Sequence, residues 1–438
     1  MRPGMPNRAL IGLRTGLGLS QEQYAELVGA EVRSVRGWET GEVACPQARH
    51  LAKLYRLHGL SSPEQLGFQP RRRARSAATV DLTEPPEADV LRRDILGMAA
   101  AAAFTNAVAA PVAHLLAPLL RSPSLAVGRT DVDRVRQTNQ TFYDVDFLIG
   151  GGAFKPDVLI GQFRKSAGLL HGTYQHGATR QEMHSAVAHL GSTIGFMLFD
   201  QGQHLEARKV YLASLQVARE ASDPWPLRAI VLSEMARQCL HLGEHDNALE
   251  LLRIARGADD EITPTAKAML HGVRARAYAG QGNVQETDRF VGEAEIEFGR
   301  ADPANDPSWI SWFDRAELHG ETGHAYYALA LNKKQRAKEA VQRLTLAADQ
   351  HGPDQARSKA LALTKLSKVR MVQAEPGAPE DGAALALQSL DLYDRLQSPR
   401  VREDLVSLRP LVRPYVHLPA LARLDGQLAL LERSPAAI

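Results

Sequence analysis

The chain contains few cysteines and few aromatic residues. Only two of its 438 residues are cysteine, and these lie far apart at Cys45 and Cys239. This argues against a secreted fold that depends on several disulfides, and no hydrophobic leader precedes the first polar residues, so we expect a cytoplasmic protein. Aromatic residues make up 6% of the chain while Ala and Leu are abundant. That composition favours helices over sheets and predicts an all-α protein.

A long uninterrupted hydrophobic run is also missing. The most apolar stretch follows Arg92 and Arg93 and ends near Leu120, and it is rich in Ala and interrupted by Asn106 and Pro111. An export signal would stand at the N-terminus, and a membrane span would carry more Leu and Ile. We therefore expect a buried pair of helices here and no membrane segment.

The charge is unevenly distributed along the chain. The net charge is only +2, but residues 1–75 hold 12 Lys and Arg against 6 Asp and Glu. A basic front part is typical of a small module that faces phosphates. The pattern along the chain predicts three regions, which are a small domain of short helices with tight turns over residues 1–67, a linker over 68–90 rich in Arg, Ala, Ser and Pro, and a large domain made of a run of helices over 91–438.

A helix-turn-helix pattern occupies residues 19–41, which read LSQEQYAELVGAEVRSVRGWETG. Ser20 can cap the next helix while Gln23 reaches back to it, which predicts a capping box at the start of the second helix. Gly41 is predicted to end the third helix in a left-handed conformation. Pro46 is predicted to begin a fourth helix. The side chains predicted to share the buried side are Leu27, Val35 and Trp38.

This segment resembles the phage-repressor type (XRE family) of helix-turn-helix, through its Leu-Ser-Gln-Glu start and its Trp-Glu-x-Gly end. The resemblance implies that the third helix enters the major groove of DNA and that the start of the second helix meets phosphate. The matching positions are Gln21 for phosphate, and Val32, Arg33, Ser34 and Arg36 for the groove. Either arginine could read a guanine through two hydrogen bonds or contact phosphate only.

The body of the chain carries a repeating turn pattern in which a glycine precedes a small residue by five positions. The pattern indicates paired helices of the tetratricopeptide type, because the glycine ends one helix and the small residue lets the next helix cross it closely. The spacing between successive turns is 41, 39 and 50 residues. The four predicted turns pair Gly202 with Ala207, Gly243 with Ala248, Gly282 with Thr287, and Asn332 with Ala337.

In the standard repeat, the first helix of each pair lines the concave face of the array. Transferring that register predicts a mixed apolar and polar groove that suits a short hydrophobic peptide, with two arginines for its acidic groups. Those arginines could instead pair with neighbouring acids. The predicted groove residues are Phe196, Asp200, Ser233, Arg237, Met269, Arg276, His319 and Tyr326.

The whole chain resembles actinobacterial regulators that join a helix-turn-helix to tetratricopeptide-like repeats, through residues 312–318 (WFDRAEL) and 396–400 (LQSPR). It is more distantly similar to the RRNPP peptide-sensing (quorum-sensing) regulators. That resemblance implies a homodimer whose repeat domain binds a signalling peptide. Binding of the peptide would change how the two helix-turn-helix domains are positioned for DNA.

No pattern for catalysis or metal binding stands out. Gly150, Gly151 and Gly152 lack the Lys-Ser/Thr ending of a phosphate loop, so we predict a turn. His241 and His245 need not share a helix face, and Asp314 is predicted to cap a helix. We expect a protein that is not an enzyme and has no cofactor and no metal.

The sequence thus predicts a dimeric, DNA-binding transcription regulator whose repeat domain binds a ligand. Two alternatives remain open at this point. In the first, the protein is a scaffold or anti-regulator whose repeats bind a protein partner, and its contact with DNA is incidental. In the second, the repeats sense a small metabolite.

Overall fold

The computed structural model divides the chain into two units, residues 1–89 and 90–438, which are described separately. The predicted linker over 68–90, the apolar stretch up to Leu120 and the fourth helix after Pro46 lie outside the described residues, apart from isolated positions. The structure describes residues 7–16, 19–28, 30–43, 46, 50, 54, 57, 66–68, 115, 126–256, 261–373 and 375–433.

The described part of the first unit includes the short helices α1 (Arg8–Gly16), α2 (Gln21–Val28) and α3 (Val32–Thr40). The predicted capping box is present, since the Ser20 amide donates to Gln23 Oε1 at 2.9 Å and the Gln23 amide donates to Ser20 Oγ at 3.2 Å. Gly41 ends α3 with a φ of 78°, as predicted. These local signals fix where α2 begins and where α3 ends.

A small apolar core joins the three helices and includes Leu10, Tyr24, Val28 and Trp38. The prediction that Leu27 lies in this core is wrong, because Leu27 is 53% exposed and its neighbour Val28 is fully buried. One residue of helix corresponds to a rotation of about 100°, so Val28 takes the inward position and Leu27 turns to the surface.

The second unit is all-α, as predicted. Its only strands among the described residues are β1 (Ala126–Val127) and β2 (Thr173–Tyr174), which pair in parallel. No helix in the described part of the chain is both long and apolar enough to cross a membrane. The helices in residues 126–433, as far as these are described, are α4 (Arg129–Ile149), α5 (Pro156–Gly168), α6 (Gly177–Asp200), α7 (His204–Ala218), α8 (Pro224–His241), α9 (His245–Ala255), α10 (Pro264–Gly280), α11 (Val284–Gly299), α12 (Arg315–Lys333), α13 (Ala337–Gln350), α14 (Ala356–Val372), α15 (Ala378–Tyr393), α16 (Pro399–Val406), α17 (Arg409–Val412) and α18 (Pro419–Arg433).

Three of the four predicted repeat turns are confirmed. The turns after α6, α8 and α10 each contain a glycine with a φ between 73° and 76°, a backbone conformation that favours glycine over other residues. The small residues that follow five positions later are fully buried where the second helix crosses the first. The glycines are Gly202, Gly243 and Gly282, and the small residues are Ala207, Ala248 and Thr287.

The fourth turn is displaced from its predicted place. Helix α12 runs through Asn332 to Lys333, and the turn is made by Lys334 and Arg336, whose φ angles are 54° and 62°. The fully buried small residue is consequently Ala340 and not Ala337. A fifth pair, α14 with α15, was not predicted, and its turn contains Gly377 with a φ of 82°.

The helical array is closed into a ring, because α14 and the start of α16 contact α4 and the end of α6. Arg357 of α14 donates to both oxygens of Asp146 on α4, at 2.8 Å each, and lies 3.4 Å from Asp200 at the end of α6. Asp200 also accepts hydrogen bonds from the Gly151 amide at 3.0 Å and from the Ser398 hydroxyl at 2.9 Å. We call these five residues the closure cluster, because they join parts of the chain that are about 200 residues apart.

The glycines predicted to form a turn at positions 150–152 lie at this cluster, and Gly151 belongs to it. The Gly152 amide donates to the Gln397 carbonyl at 2.7 Å, and the Gln397 amide donates to the Ile149 carbonyl at 2.5 Å. A Cβ atom at Gly152 would lie 2.5 Å from the Gln397 oxygen, so the turn admits only glycine at this contact. Residues 396–400, singled out in the sequence, therefore seal the ring against the end of α4.

Candidate functional site

The closed array surrounds a cavity of about 1000 Å³. Most of its wall is formed by α4 and by the first helix of each pair, namely α6, α8, α10, α12 and α14, together with α16. The prediction that the first helices line the concave side is therefore confirmed. The volume is at the upper end of the range for small-molecule sites.

Two arginines and two glutamates meet in the wall of this cavity. Arg237 of α8 donates to Glu321 of α12, and Arg276 of α10 lies 3.1 and 3.4 Å from the two oxygens of the same carboxylate. Arg237 Nε also lies 3.7 Å from Glu234 Oε1, one helical turn away on α8. The four side chains, which we call the charged cluster, carry balanced charge and are supplied by three different helices.

Burial destabilises the charged forms of two members of this cluster, Arg276 and Glu234. Desolvation, with repulsion from Arg237 and Arg400, lowers the pKa of Arg276 to about 9, and burial raises the pKa of Glu234 above its ordinary value. The lowered pKa of Arg276 and the raised pKa of Glu234 both mean that the surroundings solvate these charges less well than water does.

Several buried polar atoms of the cavity wall have no hydrogen-bond partner among the residues that the structure describes. They include Oε2 of Glu234, Nη2 of Arg237 and both ring nitrogens of His324. Buried polar groups in proteins are normally paired, so unpaired atoms on residues that line a cavity indicate groups that a ligand can satisfy. His324 is neutral, because burial and nearby cations hold its pKa well below the ordinary value.

Aromatic rings cover another part of the wall. The Trp312 ring lies 5.5 Å from the Arg237 guanidinium, and Phe196 lies 4.9 Å from that of Arg357. Trp309 and Trp312 come from the connection between α11 and α12, which also contains a short 3₁₀ turn at Ser308–Ile310. This connection accounts for the long interval of 50 residues in the repeat spacing, and it places two indole rings at the cavity.

A second polar group lies where α14 meets α16. Lys365 donates to Asp404 at 2.6 Å, and Lys368 donates to the same carboxylate and to Ser407 Oγ at 2.7 Å. Burial lowers the pKa of Lys365 to about 8, whereas the two ammonium groups outweigh burial and hold the pKa of Asp404 below its ordinary value. Asp404 is thus a paired structural anion at the edge of the cavity.

Three of the eight predicted groove residues line the cavity, namely Phe196, Arg237 and Arg276. Asp200 is fully buried in the closure cluster instead. Ser233 is fully buried and Met269 is 1% exposed, and neither reaches the cavity surface. The standard register therefore points to the correct helices but does not separate wall positions from positions packed behind the wall.

On α12 the predicted face is wrong. His319 and Tyr326 lie on the side of the helix opposite the cavity, with His319 close to Arg343 of α13 and Tyr326 in a core shared with α13. The cavity residues of this helix are Glu317, Gly320, Glu321, His324, Tyr327 and Ala328. Polar residues three to four positions apart in a helix whose other faces are apolar were the signal that could have found them.

The lowered pKa of His189, a residue of the cavity wall, predicts that the stability of the protein depends on pH. Burial, with a smaller effect from Arg136, lowers the pKa of His189 to about 4. Because the unfolded chain then binds this proton more tightly, with a pKa near 6.5, the free energy of unfolding is expected to fall as pH drops from about 6.5 toward 4. His189→Gln should flatten that part of the profile in urea denaturation at several pH values. An equal slope in the variant would contradict the burial of this imidazole.

The predicted DNA-binding residues lie at the starts of α2 and α3. Arg33 and Arg36 are exposed, and Val32 and Ser34 are partly exposed. The side-chain Nε2 of Gln21 donates to Glu39 Oε2 at 2.6 Å, and Arg14 pairs with Glu39 Oε1 at 2.6 Å. Glu39 thus ties α1 and α2 to α3, while the arginines of α3 remain available at the surface.

The histidines and acids do not form a metal centre in the described residues, where no group of three or more His, Cys, Asp and Glu side chains is placed to hold a metal ion. Asp314 caps α12, as predicted, and accepts a hydrogen bond from the Glu317 amide at 2.9 Å.

Comparison with known protein families identifies a repeat segment in this array. Residues 185–259 match the family model of the tetratricopeptide repeat. The matched segment spans α7, α8 and α9 and most of α6, so it includes the two repeat turns with Gly202 and Gly243. The repeat character of this part of the array is therefore shown. Neither the curated proteins nor the solved structures gave a match.

Proposed function

We propose that this chain is a sequence-specific DNA-binding transcription regulator that acts as a cytoplasmic homodimer. In this proposal its repeat domain binds a signalling peptide or small molecule that changes DNA binding. The protein acts by binding and not by catalysis, and it needs no cofactor. Tetratricopeptide repeats are protein- or peptide-binding arrays, and the match over residues 185–259 supports the sensing half of this proposal.

The observation that carries the DNA-binding half is the surface of α3. Its buried side is held by Val35 and Trp38, and its start presents the exposed Arg33 and Arg36. The Arg33 side chain is 91% exposed, and its nearest acid, Glu31, is itself 79% exposed at 3.9 Å. Such an ion pair is weak in water, so the guanidinium is free to engage phosphate or a guanine edge.

A second candidate function is a protein-interaction scaffold. The tetratricopeptide match favours it, because these repeats commonly bind other proteins, and it makes no use of α3. The two candidates differ in their dependence on salt and on the arginines of α3. Phosphate-driven binding weakens steeply as salt rises, whereas a scaffold needs no DNA at all.

We predict that Arg33→Ala combined with Arg36→Ala weakens binding to mixed-sequence duplex DNA and flattens its salt dependence. Each lost phosphate contact is expected to reduce the slope of log K against log salt by about 0.9. Fluorescence anisotropy across a salt series measures both quantities on the full chain.

The matched control for this prediction is Arg8→Ala, which removes an exposed arginine from α1 in the same unit. It should leave the slope nearly unchanged. A double variant that binds with the affinity and slope of the unaltered protein would remove α3 from the DNA interface and favour the scaffold.

A further inference from the structure

The cavity wall offers an acceptor and a donor side by side. Glu234 and Arg237 lie one turn apart on α8, with Nε of the guanidinium 3.7 Å from Oε1 of the carboxylate. The two residues are 6% and 8% exposed, and Glu234 Oε2 and Arg237 Nη2 have no hydrogen-bond partner in the described part of the chain. A ligand that satisfies both atoms must bring a donor and an acceptor that are close together.

The balance of charge in the charged cluster further restricts which ligands can bind in the cavity. Glu321 already neutralises one of the two arginines, and Glu234 neutralises the other, so the charged cluster has no net charge. A ligand with a single charge would leave one buried charge uncompensated, which is strongly unfavourable in a poorly solvated site. A zwitterionic group meets both Glu234 and Arg237 with opposite charges and keeps the balance.

The short separation excludes the two ends of a peptide as the source of these charges. In an extended peptide of three residues the terminal ammonium and carboxylate are about 10 Å apart. In an α-amino acid both groups are attached to the same carbon atom. Two oppositely charged residues one turn apart on α8 therefore suit an α-amino-acid head group, whose two charges also lie close together.

The rest of the cavity wall indicates what kind of chemical group the ligand carries beyond its head group, which we call its body. Trp312 lies beside Arg237, and Ile230, Leu240 and Phe196 contribute apolar surface to the same cavity. The neutral imidazole of His324 adds one donor and one acceptor for a polar atom of the body. A volume of about 1000 Å³ leaves room for a large side chain or a conjugated group.

We propose that the cavity binds a ligand with an α-amino-acid head group and a large apolar or aromatic body. Arg237 takes the carboxylate, Glu234 takes the ammonium group, and the body lies against Trp312. This inference rests on the proposed function in that the bound amino acid is the signal that the repeat domain senses.

The test begins with thermal melting of the full chain in the presence of L-tryptophan, L-phenylalanine, L-methionine, L-leucine, L-aspartate or L-lysine at millimolar concentration. A ligand that binds only the folded protein raises the melting temperature as its concentration rises. We expect a rise with at least one of the first four and none with the two charged amino acids. Titration calorimetry then gives the affinity for the best of them, and for its N-acetyl and carboxamide derivatives.

Each derivative removes one charge of the head group, so each is expected to bind about tenfold to hundredfold more weakly than the parent amino acid. Glu234→Gln should weaken binding of the parent by a similar factor while keeping the shape of the side chain. The control is Glu295→Gln, which alters an ion pair with Arg343 between α11 and α13, away from the cavity. It should leave the affinity unchanged.

The inference is overturned if no amino acid raises the melting temperature, or if both derivatives bind as well as the parent. It is also overturned if Glu295→Gln weakens binding as much as Glu234→Gln. DNA binding is measured separately on the same samples without ligand. Retained DNA binding with no amino-acid binding removes this inference alone, and amino-acid binding without DNA binding removes the proposed regulator function alone.

Discussion

Substituting Asp200 with alanine is expected to lower the free energy of unfolding by about 3–5 kcal/mol. Asp200 is fully buried and pairs with Arg357 and Arg400, while Ser398 and the Gly151 amide donate to it. Burial alone would raise the pKa of Asp200, but the two arginines hold it below its ordinary value, so the carboxylate remains charged. Its removal would leave Arg400 without this carboxylate and Arg357 with Asp146 alone, and it would loosen the contact that closes the array.

Urea denaturation of the full chain measures this effect, and the control is Glu250→Ala. Glu250 pairs with Arg253 at 2.7 Å on α9, but the two side chains are 47% and 70% exposed. An exposed pair of this kind contributes at most about 1 kcal/mol. Equal losses in the two variants would mean that the closure cluster has no special part in stability.

Gly195→Ala is expected to destabilise the protein by about 1–3 kcal/mol, although alanine is the better helix former. A Cβ atom at Gly195 on α6 would lie 2.5 Å from the ring of Tyr211 on α7, and Tyr211 is fully buried. Gly191, one turn earlier, has the same role, since its Cβ would lie 2.6 Å from the Phe163 ring. These glycines let the helices approach more closely than any larger residue would allow.

The matched control is Gly292→Ala in α11. A Cβ atom there would meet nothing within 4 Å, so alanine is expected to stabilise the protein by up to about 1 kcal/mol. The two substitutions are chemically identical and should have opposite signs in thermal or urea denaturation. A stabilising Gly195→Ala would contradict the close crossing of α6 and α7.

Features that depend on neighbours along the chain were predicted well from the sequence. The capping box of Ser20 and Gln23 and the left-handed glycines at 41, 202, 243 and 282 are all present. Each depends on backbone geometry within a few residues, and that geometry follows from residue type.

Features that depend on distant parts of the chain were not predicted. Asp200 was placed in the groove because its helix position allowed it, yet its partners are Arg357, Ser398 and Arg400, which lie more than 150 residues away. Nothing in the local pattern shows that the array closes on itself. The glycine turn at 150–152 was predicted as a turn, but its packing against Gln397 follows only from that closure.

The error on α12 has a different cause. The sequence placed the fourth turn at Asn332, whereas the helix continues to Lys333 and the turn is made by Lys334 and Arg336. The register derived from the standard repeat therefore does not hold for this helix, and it predicted His319 and Tyr326 where Glu321 and His324 face the cavity.

Selection of bound fragments from the source genome by the full chain tests the central claim most directly. The selection is run in parallel with the protein carrying Arg33→Ala and Arg36→Ala, at several salt concentrations. We predict enrichment of a recurrent site with two-fold symmetry and half-sites about one helical turn apart, lost in the double variant. No enrichment, or enrichment that is the same in both proteins, would contradict a regulator that reads DNA through α3.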